Sequence, residues 1–124
     1  MTMKSSGNAI LKIYASSTDR IDSKLLYEHV VHMAKDNGIS GVTVYRGIMG
    51  YGQSSKISSS KFWELTEKLP VMIEIIDSSE ALEKFYDLIE PDLHTMPKGC
   101  LITIDPVTVK LQKQGITIEK KDSK

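Results

Sequence analysis

Apolar positions recur along this chain with two different periods, and the switches between them mark out its elements. Over residues 9–15 the period is two. Leu11, Ile13 and Ala15 share one face, and Ile10, Lys12 and Tyr14 share the other, which predicts a strand with apolar side chains on both sides. Residues 16–22 are polar and turn-like, and Asp22 or Ser23 is placed to cap a helix over about 23–37. Its stripe is Leu26, Val30, Met33 and Ala34, at spacings of three and four, and Asn37-Gly38 is its stop. A second strand follows over 41–47, where Val42 and Val44 alternate with Thr43 and Tyr45. Pro70 opens a third over 71–76, with Val71, Ile73 and Ile75 opposite Met72, Glu74 and Ile76. Asp77-Ser78-Ser79 then offers caps for a helix over about 80–90 carrying Leu82, Phe85, Tyr86 and Ile89, and Pro91 is expected to end it. Residues 92–99 read as a short loop and 100–104 as the fourth strand. Asp105-Pro106 is expected to interrupt that strand, which resumes over 107–111.

The order strand, helix, strand, strand, helix, strand predicts an α+β fold. It is the ferredoxin-like βαββαβ sandwich, an antiparallel sheet with both helices on one face. The domain is expected over 9–111, with 1–8 and 112–124 as flexible termini and a weak edge strand around Ile116-Thr117-Ile118. The uncovered sheet face would hold Ile10, Tyr14, Met72 and Ile76, and such a face implies a partner, most simply further copies in closed symmetry. Residues 53–68 are the irregular part. They hold Ser54, Ser55, Ser58, Ser59 and Ser60 among Lys56 and Lys61, then Phe62, Trp63 and Leu65. Two readings stand: a mobile functional loop, or an extended hairpin whose arms pair weakly.

Composition narrows the function classes. The chain has 124 residues, with 16 basic and 16 acidic side chains and a formal net charge of zero. That balance does not point to nucleic acid or an acidic membrane surface. No apolar run reaches membrane-spanning length, the start is polar, and Cys100 is the lone cysteine, so a cytoplasmic protein is expected.

Chemistry-bearing motifs are sparse. His29 and His32 lie three apart on the first helix and could join His94 in a metal site, though surface histidines are the simpler reading. Cys100 opens an apolar strand and reads as an inert buried thiol. Glu74 and Asp77 read as a strand residue and a helix cap rather than an acid–base pair. No Gly-x-Ser-x-Gly elbow, P-loop or dinucleotide fingerprint is present, so no catalytic activity is expected. What remains is the run from Arg46 through Gly47, Gly50, Tyr51, Gly52 and Gln53, together with Lys98-Gly99. Glycines let a ligand approach the backbone and arginine offers a planar fork for phosphate, but the same glycines also suit a merely bent strand.

The run Gly41-Val-Thr-Val-Tyr-Arg-Gly-Ile-Met-Gly-Tyr-Gly52, the run Leu69-Pro-Val-Met-Ile-Glu-Ile-Ile-Asp77 and the Lys98-Gly99 approach to the last strand carry a resemblance. The chain resembles the uncharacterised PII-like family, a domain-of-unknown-function group related to PII signal-transduction proteins. The resemblance implies a ferredoxin-like subunit, a homotrimer built on the open sheet faces, and a small effector at subunit boundaries. It also implies a loop at 53–68 that contacts a membrane transporter, channel or enzyme. Gly50-Tyr51-Gly52 with Gln53 is similar to the Lys-Gly-Phe-Gly loop base of PII proteins, and Lys98 to a basic residue of their second phosphate-contacting loop. The departures are Gln53 where PII proteins have a basic residue, a second loop with fewer basic residues, and no tyrosine within 54–68. An adenine nucleotide is the expected effector. The alternatives are a metal-binding or metal-tolerance trimer using His29, His32 or His94, and a structural assembly module.

Overall fold

The computed structural model describes residues 7–53, 57–59 and 68–116. Its centre is a four-stranded antiparallel sheet of β1 (Asn8–Ser16), β4 (Val42–Arg46), β7 (Pro70–Ser78) and β8 (Leu101–Val107), in the order β4-β7-β1-β8. Helices α1 (Leu26–Asp36) and α2 (Ser79–Thr95) are the crossovers. This is the ferredoxin-like arrangement that the element order predicts.

Alternation along the strands decides which face is covered. Ala9, Leu11 and Ile13 of β1 and Val71, Ile73 and Ile75 of β7 are buried. Leu26, Val30 and Ala34 of α1 pack with most of these, as do Leu82, Phe85, Ile89 and Leu93 of α2. Val42, Val44, Ile102 and Ile104 extend the same core toward both edges.

The opposite face is uncovered, and its register gives it a pattern. Tyr45, Met72, Tyr14 and Leu101 line up across the sheet as one row. Thr43, Glu74, Lys12 and Thr103 form the next, and Ile76, Ile10 and Asp105 the one after that. A polar row therefore lies between two largely apolar ones. Of the apolar side chains, Tyr14, Tyr45, Ile76 and Leu101 are exposed.

Several boundaries differ from expectation, each for a local reason. Asp22 and Ser23 do not cap α1. They turn a small hairpin, β2 (Arg20–Ile21) against β3 (Lys24–Leu25), with Asp22 at φ 57°, a conformation that aspartate tolerates better than most residues. The N-cap is Leu25, without a side-chain bond, and the Leu26 N–H donates instead to the Asp19 carbonyl at 2.7 Å. Gly38 stops α1 at φ 80° as its position predicts.

Pro91 does not end α2, which runs on to Thr95. Pro91 is exposed, so the Asp87 carbonyl that it leaves without a helical donor faces the solvent side, while Leu93 and Met96 bury the final turn. His94 is therefore helical rather than in a loop. Nor does Asp105-Pro106 interrupt the last strand. Pro106 sits opposite Ala9 on an edge strand, where one missing donor is tolerated. Residues 108–111, expected to be strand, instead form no regular element.

Candidate functional site

β4 ends at Arg46, and the Gly47 N–H donates to the Pro70 carbonyl at 2.7 Å, extending the ladder by one step. The chain then forms β5 (Met49–Gly50), which pairs with β6 (Ser58–Ser59): Met49 opposite Ser59, Gly50 opposite Ser58. This pairing closes over 51–57, so only one of its arms lies within the 53–68 segment. Residues 54–56 and 60–67, on which most of the mobile-loop expectation falls, lie outside those described.

The glycines have a packing role. A Cβ on Gly47 would lie 3.0 Å from the Pro70 ring, and one on Gly50 3.4 Å from it. Both therefore let the loop base close on the proline that opens β7, a partner that sequence spacing did not single out. Arg46, Tyr51, Gly52 and Gln53 are exposed, Tyr51 to 73%. Lys98 and Gly99 are exposed between α2 and β8.

Register fixes the distance between these two groups. Leu101 and Tyr45 belong to one cross-sheet row, so Lys98-Gly99 and the Arg46–Gln53 stretch flank the same end of the sheet. They approach it from opposite edges, with β1 and β7 between them. Three strand spacings amount to about 14 Å. A single subunit does not bring its two halves of the predicted site together.

Other candidates resolve into local structure. The Nε2 of His29 lies 2.9 Å from Asp92 Oδ2, linking α1 to α2, while that of His94 lies 2.9 Å from Glu90 one turn away. The three histidines thus do not converge, and among the described residues there is no cluster of three or more metal-ligating side chains. Asp77 accepts from the Ser40 N–H at 3.0 Å and from its neighbour Ser78 at 2.7 Å, and Ser78 Oγ caps α2 by accepting from Ala81. Glu74 accepts from the Tyr45 hydroxyl at 3.0 Å. That bond and the carboxylate's charge hold the Tyr45 phenol above its ordinary value of 10.0. Cys100 is exposed, not buried as expected, because it precedes the first paired residue of β8. Partial desolvation, then the nearby Asp19 carboxylate, push its thiol up, which suits an unreactive group.

A groove of about 400 Å³ opens at the other end of the uncovered face. Thr43, Glu74 and Ile76 form part of its lining, and Val109, Leu111 and Gln112 another part. The segment after β8 must therefore cross the open face toward β4. Among the described residues no helix is long and apolar enough to cross a membrane.

Comparison with known proteins agrees with this architecture. The family model described as DUF190, Uncharacterized ACR, COG1993, matches residues 8–109. A UPF0166 protein of Aquifex aeolicus (strain VF5) is 36% identical over 100 residues, 81% of this chain and 90% of the relative. Among solved structures, CPII, a nitrogen regulatory PII-like protein from Thiomonas intermedia K12 bound to ADP, AMP and bicarbonate, superposes with a TM-score of 0.58 at 12% identity. That match covers 86% of this chain and 96% of CPII. A protein of Thermus thermophilus described as a PII-like signaling protein superposes at 0.54 with 16% identity, covering 81% and 85% of the two chains. The structural likenesses show a shared fold, and the family match shows descent: this chain is a member of the uncharacterised DUF190 family, built on the PII-like ferredoxin fold.

Proposed function

We propose that the chain is a non-catalytic, cytoplasmic PII-like regulatory subunit. It assembles as a homotrimer through its open sheet faces and binds an adenine nucleotide at subunit boundaries. The observation that carries this reading is the split site. Arg46, Gly47, Gly50, Tyr51, Gly52 and Gln53 flank one edge of the sheet and Lys98-Gly99 the other, at the same end. A neighbouring copy is what joins such halves. Exposed apolar rows on the uncovered face supply the surface for that neighbour. The structurally similar CPII was solved with ADP and AMP, which makes adenine nucleotides the first ligands to test.

In this reading backbone N–H groups around Gly50–Gly52 meet phosphate oxygens, Arg46 adds a bidentate charge and Lys98 a point charge. So few cations suit a mono- or diphosphate better than a triphosphate. Binding regulates only through unequal affinity for two arrangements of the 53–68 loop, whose partner is a transporter, channel or enzyme. Calorimetry with AMP, ADP, ATP and cyclic nucleotides tests the site. At least one binds below about millimolar, and Lys98→Ala weakens it by about 1.5–3 kcal/mol, the scale of a hydrogen bond to a charged group. Absence of binding, or an unchanged affinity in Lys98→Ala, removes the site and favours a structural assembly module.

A further inference from the structure

Ser16, the last residue of β1, pairs with Pro70, the first of β7, and the pairing runs one step beyond both strands. The Ser17 N–H donates to the Leu69 carbonyl at 2.7 Å, and the Leu69 N–H donates to Ser17 Oγ at 3.0 Å. Ser17 and Leu69 are both buried. Alternation therefore carries their outer neighbours, Thr18 and Lys68, to the side of Ser16 and Pro70, which is the rim of the uncovered face. Thr18 and Lys68 are exposed there.

A hydroxyl pair sits beside that lysine. Ser16 Oγ and Thr18 Oγ1 are 3.2 Å apart, and the Thr18 N–H donates to Ser16 Oγ at 3.3 Å. Two hydroxyls carry two hydrogens, and their mutual bond uses one. Among the described residues no acceptor takes the other. The loop that holds the pair is fixed from within: Asp19 Oδ2 accepts from the Ser16 N–H at 2.9 Å, and the Asp19 N–H donates to the Ser16 carbonyl at 3.1 Å. Asp19 is only 5% exposed, so its charge is largely withdrawn from the rim. Lys98 comes to the same loop from the far side, two residues before Cys100, whose thiol responds to the Asp19 carboxylate. Lys68 and Lys98 thus belong to the two strands that flank β1, about 10 Å apart at two strand spacings. Among the described residues neither lysine forms an ion pair.

Two cations and a hydroxyl hydrogen without an acceptor suit an oxyanion. We propose that Lys68, the Ser16–Thr18 hydroxyl pair and Lys98 of one subunit form a phosphate-binding subsite. Its ligand is a phosphate group, either free or the terminal phosphate of a nucleoside diphosphate. The second source rests on the nucleotide reading above. The first needs neither a nucleotide nor a neighbouring copy, since all four side chains lie on one chain.

Calorimetry on the full chain with inorganic phosphate, AMP and ADP tests this. The variants are Lys68→Ala, Lys68→Arg, the double variant Ser16→Ala with Thr18→Val, and Lys35→Ala in the last turn of α1 as a control for general loss of positive charge. Circular dichroism checks that each is folded. Lys68→Ala weakens the bound phosphate group about tenfold, the double variant weakens it less, Lys68→Arg restores most of the loss and Lys35→Ala changes nothing. With free phosphate as the source, inorganic phosphate itself binds the wild type below about millimolar. With a nucleotide as the source, Lys68→Ala weakens ADP and spares AMP. Equal losses in Lys68→Ala and Lys35→Ala mark diffuse attraction and overturn the subsite. ADP binding that falls in Lys98→Ala but holds in Lys68→Ala also overturns it, and leaves the nucleotide reading standing. Phosphate binding that depends on Lys68, in a protein that takes neither nucleotide, supports the subsite and removes the nucleotide reading. Binding of none of the three ligands overturns the subsite.

Discussion

Gly47 shows how much a single hydrogen atom in place of a methyl can matter. A Cβ there would meet the Pro70 ring at 3.0 Å, and that ring is tied to the backbone at both ends and can yield only by changing its pucker. Gly47→Ala should therefore cost about 1–3 kcal/mol, the scale of an overpacked site, read as a lower denaturation midpoint. Gly50→Ala, with 3.4 Å available, should cost less. The spacing of the glycines was visible in the sequence, but their partner was not, because Pro70 lies some twenty positions on. Tyr45 gives a pH-dependent counterpart. Its raised pKa means that the folded protein holds the phenolic proton more tightly than the unfolded chain does. The contribution is complete below pH 10 and is lost as pH rises through the raised value. An absorbance titration should find one tyrosine ionising above 10.0, and Glu74→Gln should return it toward that value. Nothing in the order of residues placed Tyr45 beside Glu74, since that contact depends on register.

At the scale of elements, period and punctuation carried far. The four core strands, both helices and their buried stripes follow from periods of two and 3.6, and Gly38 stops α1 where expected. The failures cluster where a local signal met a tertiary contact. Pro91 reads as a helix end, yet Leu93 and Met96 each bury a side chain in the core beyond it, and that burial outweighs one lost hydrogen bond. Pro91→Ala restores a donor to the Asp87 carbonyl without touching the core, so the midpoint of thermal unfolding should rise. Ser78→Ala removes the bond to the Ala81 N–H and should cost about 1 kcal/mol. Asp22 misled in the other direction: a residue suited to helix caps is equally suited to a tight turn, and the pairing of Arg20 with Leu25 chose the turn.

At the scale of the molecule, the uncovered face was legible because its four predicted residues fall into two cross-strand pairs, Ile10 with Ile76 and Tyr14 with Met72. What the sequence hid was the polar row between them, since the register that aligns Thr43, Glu74, Lys12 and Thr103 is a product of folding. In the proposed trimer Ile76→Asp would bury a charge against a neighbour, and light scattering should show that trimer breaking down while circular dichroism stays unchanged. The polar row has a bearing on which chains can mix. In the proposed trimer, a neighbour that slipped by one row would set its apolar side chains against Glu74 and Lys12, which disfavours that alignment. On that proposal, a cell that carries two related chains would keep them in separate rings wherever the signs at positions 12 and 74 differ. If the proposed trimer forms, exchanging Lys12 and Glu74 in one copy should yield a protein that still assembles with itself but no longer co-assembles with its parent, a means of keeping two such assemblies apart.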